Sequence, residues 1–477
     1  MTTIYAERAQ AIFTSPEGKA ALGHYDQQQG MYSFDKFTAP SRGEQMLSPL
    51  MAPVLLQEAC KPVVSSESAL YLHIPFCNLR CTYCAFYRNS VQKELVEAYT
   101  QALLQEINFL AEQGVFAKRH FNTVFFGGGT PSILSPEQIT RILNLLQQRI
   151  SLAANAEITF ESSIYDMNEE KLAACLAGGI NRFSFGIQTF NTQRRRGLGR
   201  PDPQEKLAER LSSFAKAQAR IIIDLIYGLP GQTEAELLED LRLGLACNIS
   251  GLDLYKLQIL PQSPLAEAIK KGRVSYGADQ QRLHSMFAAA SAYLEQQGAR
   301  QLSCCHWATR DEEISLYNTI VKRGADIVAL GSACGGRIGS YHFMKHPHTQ
   351  TYIEQIAHKK LPLMFLGKHN EHEPFLKGLA GQIDTGYLDL PQLAVLNPLP
   401  WQQLLQPLLQ HWQAAGLLQA PQKDHYAFTT LGKYWCKQMS RTVLFVVEYI
   451  LYGAAAPQEQ PGMPPDLNPM HAMKNLQ

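Results

Sequence analysis

Three cysteines, Cys77, Cys81 and Cys84, stand in the run YLHIPFCNLRCTYCAFYRN with the spacing C-x3-C-x2-C. Three thiolates on one short loop can hold three irons of a [4Fe–4S] cluster and leave the fourth iron without a protein ligand. An open iron can bind a small chelating molecule, which makes the cluster a reagent and not only an electron wire. A structural zinc site would pair one C-x2-C knuckle with a second Cys or His pair, and there is no second knuckle. The remaining cysteines, Cys60, Cys175, Cys247, Cys304, Cys305, Cys334 and Cys436, are scattered, mostly inside apolar periodic stretches. Chain length, apolar content and the lack of a secretory signal argue against a disulfide framework.

Other residues offer partners for a chelated ligand. The run GGGTPS (127–132) exposes backbone N–H and C=O groups without Cβ interference, although alone it also reads as a tight turn. Glu161 can pair with an ammonium, and Arg200 with a carboxylate in bidentate fashion. Asp224 and Gln188 can hydrogen-bond a ribose. Taken singly, each also reads as a surface salt bridge or a helix cap. Their joint placement favours a site.

The elements that must position them alternate. Short β-rich runs occur at 70–74, 123–127, 157–161, 182–187, 220–228 and 252–260, with helical stretches at about 91–115, 136–150, 168–177, 203–218, 233–247 and 280–298. Pro136, Asn168 and Thr233 sit near helix starts, where turn-formers and caps belong. Six βα repeats with apolar strands predict a parallel sheet covered by helices. The fold class expected is α/β, a partial (β/α)6 TIM-like barrel with its site at the C-terminal ends of the strands. Cys77 follows strand one, Gly127 to Gly129 strand two, Glu161 ends strand three, Gln188 follows strand four, Asp224 lies in strand five and Gln258 near the end of strand six, so one rim collects them.

Around this core at 67–300, residues 1–66 read as an N-terminal extension wrapping it. A bridging segment at 301–379 carries CCHWATR and the glycine-rich GSACGGRIG. A helical, winged-helix-like cap is expected at 380–455, and a Pro-rich, disordered tail at 456–477. The chain has 477 residues, 45% hydrophobic, with 43 Lys+Arg against 42 Asp+Glu and a formal charge of +1. No global basic field argues for nucleic acid. The N-terminal MTTIYAERAQAIF lacks an apolar signal core, and the apolar stretch Val443–Ala456 is interrupted by Glu448 and too short to span a bilayer. A cytoplasmic protein is expected, in a reducing compartment that suits an oxygen-sensitive cluster.

YLHIPFCNLRCTYCAF, FGGGTPS, FSFGIQTFN and IDLIYGLPGQ together resemble the oxygen-independent coproporphyrinogen III oxidase-like branch of the radical S-adenosylmethionine (SAM) superfamily. The resemblance covers about residues 68–270 closely and the region to about 450 more loosely. It implies a [4Fe–4S] cluster on Cys77, Cys81 and Cys84, and two molecules of SAM. Tyr71, Gly128 and Glu161 match positions that hold the cluster-bound SAM. Tyr83, Gly129, Thr130, Gln188, Arg200 and Asp224 match those around a second SAM, and Gln258 joins them by counting on from Asp224. The coproporphyrinogen enzymes carry a further cysteine two residues past the third ligand; here it is Phe86, as in the heme chaperones of the branch. Pro201 follows LGR where those chaperones usually have His, and ESSIYD replaces the usual Glu-x-x-Pro. The long N-terminal extension, the RRR cluster, CCHWATR and GSACGGRIG are most similar to the anaerobic heme-degrading radical SAM methyltransferases of heme-utilisation loci.

That resemblance implies a reaction on heme. One SAM is cleaved reductively, a carbon unit from the second attacks a meso carbon, the ring opens, and iron leaves with a linear tetrapyrrole. It implies an electron donor (flavodoxin, ferredoxin or an NAD(P)H-linked reductase) and admits an acceptor protein for the product. Tyr71 and His306 are the catalytic candidates; His306 can ligate heme iron or supply a proton, or be a hydrogen-bonded core residue beside Trp307. Arg194, Arg195 and Arg196 can meet propionates or form a solvated helix start. His342, His346 and His348 form a sparse cluster that reads better as an exposed loop. Met463, Met470, His471 and Met473 in the tail can meet heme but need not. A heme chaperone and a coproporphyrinogen oxidase remain the competing functions.

Overall fold

The computed structural model describes residues 2–34, 45–62, 67–84, 89–277 and 279–454. Phe86 and the tail with Met463, Met470, His471 and Met473 lie outside the described residues. Six strands run parallel: β1 (Ser68–Ile74), β2 (His120–Gly128), β3 (Ser151–Ser162), β4 (Arg182–Gln188), β5 (Arg220–Tyr227) and β6 (Gly251–Lys256). Between them run α1 (Lys93–Glu112), α2 (Pro136–Arg149), α3 (Glu169–Ala177), α4 (Gln204–Phe214) and α5 (Glu234–Ala246), with α6 (Gln280–Gln296) after β6. Buried runs such as Phe183, Phe185 and Ile187, or Ile221, Ile222 and Ile223, pack the strands on both faces, as parallel strands under helices require.

Local signals set the helix starts. Ser135 accepts from Gln138 N–H while the Gln138 side chain accepts from Ser135 N–H, with Pro136 at the first turn. Thr233 and Glu236 form the same reciprocal pair at α5, and Asn168 accepts from Lys171 N–H at α3. Such caps are worth about 1 kcal/mol each.

The barrel stays open, and its sheet grows at both edges. Beyond β6, β7 (His306–Ala308) adds antiparallel. Beyond β1, β8 (Asp326–Leu330) adds parallel, followed by the antiparallel meander β9 (Gly335–Ile338), β10 (Tyr341–Lys345) and β11 (Leu363–Lys368). The run GSACGGRIG is therefore a turn leading into β9. Buried Glu106 on α1 fixes that turn: it accepts from Gly331 N–H and the Tyr352 hydroxyl and pairs with buried Lys345.

The N-terminal extension divides between the C-terminal helices and the core. Its helices Thr2–Thr14 and Pro16–Leu22 lie against the C-terminal helices α7 (Trp401–Ala414) and α8 (Cys436–Tyr452). Arg8 donates to the carbonyls of Ile450 and Leu451, and the Thr442 hydroxyl donates to Ala21 O at 2.7 Å. A guanidinium at the end of α8 satisfies carbonyls that the helix cannot pair itself. The short strand Gln45–Leu47 pairs with β11, and the helix Ala52–Ala59 packs beside β9, its Ala59 carbonyl accepting from Arg119. No helix among the described residues is long and apolar enough to cross a membrane.

Candidate active site

The cysteine loop leaves β1 and is pinned on both sides. Cys77 N–H donates to Asn89 O, Thr82 N–H donates to Leu198 O at 3.1 Å, and Thr82 O accepts from Leu265 N–H at 2.7 Å. Cys84 N–H closes a turn onto Cys81 O at 3.2 Å. Cys77, Cys81 and Cys84 are half-buried, and none forms a disulfide. Burial pushes the Cys77 thiol up to about 11, although the Thr130 hydroxyl opposes the shift with a 3.5 Å hydrogen bond. A thiolate there needs an electropositive partner, which iron supplies while displacing the proton. Among the described residues no three His, Cys, Asp or Glu side chains converge on one ion. A cubane spreads three ligands over three irons and so needs a wider triangle.

Three glycines bring the loop against the next strand. A Cβ on Gly127 would lie 2.9 Å from the Tyr71 hydroxyl and 3.0 Å from a Glu161 carboxylate oxygen. One on Gly129 would lie 2.6 Å from Phe76 O and 3.0 Å from Cys77 Sγ. Gly128 has φ +116° and its Cβ would strike the His73 ring. Tyr71 shares a 3.1 Å hydrogen bond with His73 Nδ1 and stacks on Phe125, which packs on Tyr317. Glu161 accepts from Gly128 N–H and makes no ion pair among the described residues. Burial first, then the charge of Asp224, pushes it up to about 8. An arriving ammonium would reverse that shift.

A second cluster forms where β4 and β5 end. The register slips between Gly186 and Gln188, and Gln188 has φ +70°. Such a bulge re-aims side chains at a strand end. A Cβ on Gly186 would lie 2.8 Å from Gln188 Nε2, 3.5 Å from Arg200 Nη2 and 3.9 Å from Asp224 Oδ2, so the three surround this glycine. Arg200 donates to Gly186 O at 2.6 Å and to the Tyr83 hydroxyl at 3.0 Å, while its buried Nε has no partner. Asp224 accepts from the Ser184 hydroxyl at 3.1 Å and is pushed up to about 7 by burial and then Asp253. The unused Arg200 donor and Asp224, which can accept or donate near neutral pH, suit a ligand carrying a carboxylate and hydroxyls. Gln258 lies just past β6 and is exposed.

Below this rim lies a saturated network that was not anticipated. Asp253 on β6 stands opposite Asp224. His306 Nδ1 lies 3.1 Å from Asp253 and its Nε2 3.0 Å from Glu313, which Arg182 also holds at 3.0 Å. Burial alone would push the imidazole down, but Asp253 and Glu313 outweigh it and hold it up at about 9. His306 is 3% exposed with both ring nitrogens engaged, so it has no lone pair for heme iron and sits as the hydrogen-bonded core residue beside Trp307.

The arginine run is likewise tied into the fold. Arg194 donates to Pro230 O and pairs with Glu236 at 3.2 Å; buried Arg195 donates to the carbonyls of Asp202, Ile187 and Thr189. Only Arg196 is exposed. His342 stacks on His369 at 4.1 Å, whereas His346 and His348 face each other at 5.1 Å.

Tyr255 was missed. It follows Asp253 by two residues and so shares its face of the strand. It is 39% exposed and lies near Asp253, Cys305, Asp224 and Glu161. The strand's period of two would have found it.

Residues 71–244 match the model of the radical SAM superfamily. The chain is 33% identical over 408 residues to anaerobilin synthase of Escherichia coli O157:H7, covering 85% of this chain and 90% of that one. It is 30% identical over 298 residues to the heme chaperone HemW of Bacillus subtilis (strain 168), covering 61% of this chain and 76% of the chaperone. The fold matches the coproporphyrinogen III oxidase HemN from Escherichia coli with a TM-score of 0.70 at 24% identity, over 82% of this chain and 93% of that one. The chain belongs to the radical SAM superfamily, in its oxygen-independent coproporphyrinogen oxidase-like branch, and its cofactors are a [4Fe–4S] cluster and SAM.

Proposed function

We propose that this protein degrades heme without oxygen, opening the macrocycle to a methylated linear tetrapyrrole and releasing iron. The observation that carries this reading is the reach of the likeness to anaerobilin synthase. Its 408 residues extend well outside residues 71–244, whereas the likeness to the heme chaperone covers 61% of the chain. Anaerobic turnover is also the setting in which an open-iron cluster survives.

Cys77, Cys81 and Cys84 hold three irons, and Gly129 lets the loop close over them. Bound together, the cluster and SAM supply a carbon-centred radical at the cost of one electron from a flavodoxin, ferredoxin or NAD(P)H-linked reductase. Tyr71, Gly128 and Glu161 orient the methionine end of the first SAM, with Glu161 taking the ammonium. Tyr83, Gly129, Thr130, Gln188, Arg200 and Asp224 hold the second, with Arg200 Nε on its carboxylate, Asp224 on its ribose and exposed Gln258 at the edge. The Tyr71–Phe125–Tyr317 wall keeps water from the reacting centre. Tyr255 faces the same opening and can contact the porphyrin edge.

The test is anaerobic incubation with heme, SAM and a reductant. The Soret band should collapse only when all three are present, with 5′-deoxyadenosine formed in step, and the product mass should be that of a ring-opened, methylated tetrapyrrole. Tight heme binding with a persistent Soret band would instead establish the chaperone reading, which the likeness to HemW favours.

A further inference from the structure

The outer side of the cysteine loop is built from three segments that share one small apolar core. Tyr83 of the loop packs there with Leu198, Leu265, Ile269 and Val274. The backbone fixes the same arrangement. Thr82 N–H donates to Leu198 O, Leu265 N–H donates to Thr82 O, and the Thr82 hydroxyl donates to Gly197 O at 3.2 Å. A Cβ on Gly199 would lie 3.0 Å from Arg80 O and 3.8 Å from the Cys81 Cα. Residues 78–84, 194–200 and 264–274 therefore form one surface beside Cys81.

That surface is strongly cationic in a chain that is not. The whole sequence balances 43 Lys+Arg against 42 Asp+Glu, whereas these three segments hold eight Lys and Arg against one carboxylate, Glu267. Three of the arginines are engaged in the fold: Arg194 and Arg195 hold backbone carbonyls, and Arg200 belongs to the rim. Arg80, Arg196, Lys270, Lys271 and Arg273 are exposed. Glu267 does not cancel them. It is hydrogen-bonded to Lys271, lies near Arg273 and Lys270, and is held below the usual carboxylate range. Of the carboxylates next to the segments, Asp166 accepts from the Asn78 side chain, and Asp202 is buried beside Lys206. Helix C-termini favour cations, but that does not place Arg80, which stands in the loop.

A cluster on this loop must be reduced from outside, one electron at a time. Cys77, Cys81 and Cys84 are half-buried, and the cationic surface is what a visitor meets beside Cys81. Electron-transfer encounters between proteins are small and weak. Their association rate is therefore set largely by opposite charge on the two faces. An acidic donor is steered to this face, and a basic one is turned away.

We propose that this surface docks a small acidic electron-carrier protein, which passes one electron to the cluster through the cysteine loop. The carrier is oxidised by one electron, the cluster is reduced by one, and no bond is made or broken. The proposal needs the cluster alone and stands whether or not heme is the substrate.

The test measures binding of oxidised flavodoxin, an acidic one-electron carrier, to the intact, cluster-loaded protein, with neither heme nor SAM present. Wild-type association at low ionic strength should be at least about tenfold faster than at high ionic strength. Arg196→Glu combined with Lys270→Glu should bring the low-salt rate down to the high-salt one. The charge-matched control Lys61→Glu with Lys359→Glu, on exposed lysines outside the three segments, should stay close to the wild type. With SAM added, flavodoxin hydroquinone should drive 5′-deoxyadenosine formation at least about tenfold more slowly in the Arg196/Lys270 variant. Photoreduced 5-deazaflavin, a small donor that needs no docking face, should drive it at the wild-type rate. Wild-type binding that ignores salt, an Arg196/Lys270 variant that binds as the wild type does, a control as slow as that variant, or an equal loss with both donors overturns the proposal.

Discussion

The rim of the barrel and the floor beneath it are built from the same kinds of side chain in opposite states. On the rim, among the described residues, Glu161 has no ion pair and Arg200 Nε no acceptor, and Gln188 sits in a left-handed conformation. On the floor, His306 has both nitrogens engaged, Glu313 holds two cations, and Glu157 pairs with Arg220 while accepting from the backbone of Leu316 and Tyr317. A buried polar group left unsatisfied costs about 1–3 kcal/mol. On the rim an arriving ligand would complete the set, whereas the charged groups of the floor are already paired with one another. The rim should therefore govern activity and the floor stability.

The sharpest way to break this division is at the cluster. Cys77→Ser should lower bound iron below the roughly four per chain of the wild type and abolish 5′-deoxyadenosine formation, as read by iron analysis and chromatography. A full cluster and normal SAM cleavage would remove Cys77 from the ligand set. On the floor, Glu313→Ala leaves His306 with Asp253 alone and Arg182 with a 3.9 Å contact to Glu157. It should cost about 3–5 kcal/mol of stability, measured by denaturant unfolding of the cluster-free protein; a loss below 1 kcal/mol would mean the network is not structural.

Asp224→Asn should do the reverse. It removes a carboxyl whose ionisation burial opposes, with a pKa pushed up to about 7, so stability near and above neutral pH should hold or rise rather than fall. Heme turnover should fall by about two orders of magnitude, comparable to the loss of one oriented charged hydrogen bond. Unfolding of this variant at lower denaturant with turnover intact would invert the assignment of rim and floor.

The floor also has a pH signature. His306 has a raised folded-state pKa, so its stabilisation is complete below the unfolded value near 6.5 and is lost as pH rises through about 9. That window is worth on the order of 3 kcal/mol. His306→Asn should flatten the decline in stability between those pH values, and an unchanged slope would show that His306 is neutral in the folded protein. The smallest effect is expected at Gly186→Ala. Its Cβ meets the movable end of Gln188 at 2.8 Å, so stability should barely change, while the SAM concentration for half-maximal turnover rises a few-fold.

What the sequence revealed divides along a related line. The cysteine loop, the glycine run and the capped helix starts are local patterns, set by residues within a few positions of one another. The pairing of His306 with Asp253 spans 53 residues and depends on antiparallel register at the edge of β6. Nothing in CCHWATR alone signals that both ring nitrogens will be occupied. The arginine run misled for the same reason: its acceptors are backbone carbonyls of loops brought near by folding. Tyr255 was readable from strand alternation. The β8–β11 extension was not, because glycine-rich turns and short strands share the composition of loops.

The docking of the first helix on the last sets an order of events during synthesis. Helix Thr2–Thr14 packs on α7 and α8 as well as on its neighbour Pro16–Leu22, and strand Gln45–Leu47 has its sheet partner in β11, so these long-range contacts wait until more than 300 later residues have emerged. The β1–β6 core, whose neighbours are nearly consecutive in the chain, faces a far smaller loop-closure penalty and can assemble first. The cysteine loop is thus formed while both chain ends are still undocked. Iron–sulfur assembly factors would therefore meet the core before the N-terminal helices reach their long-range partners.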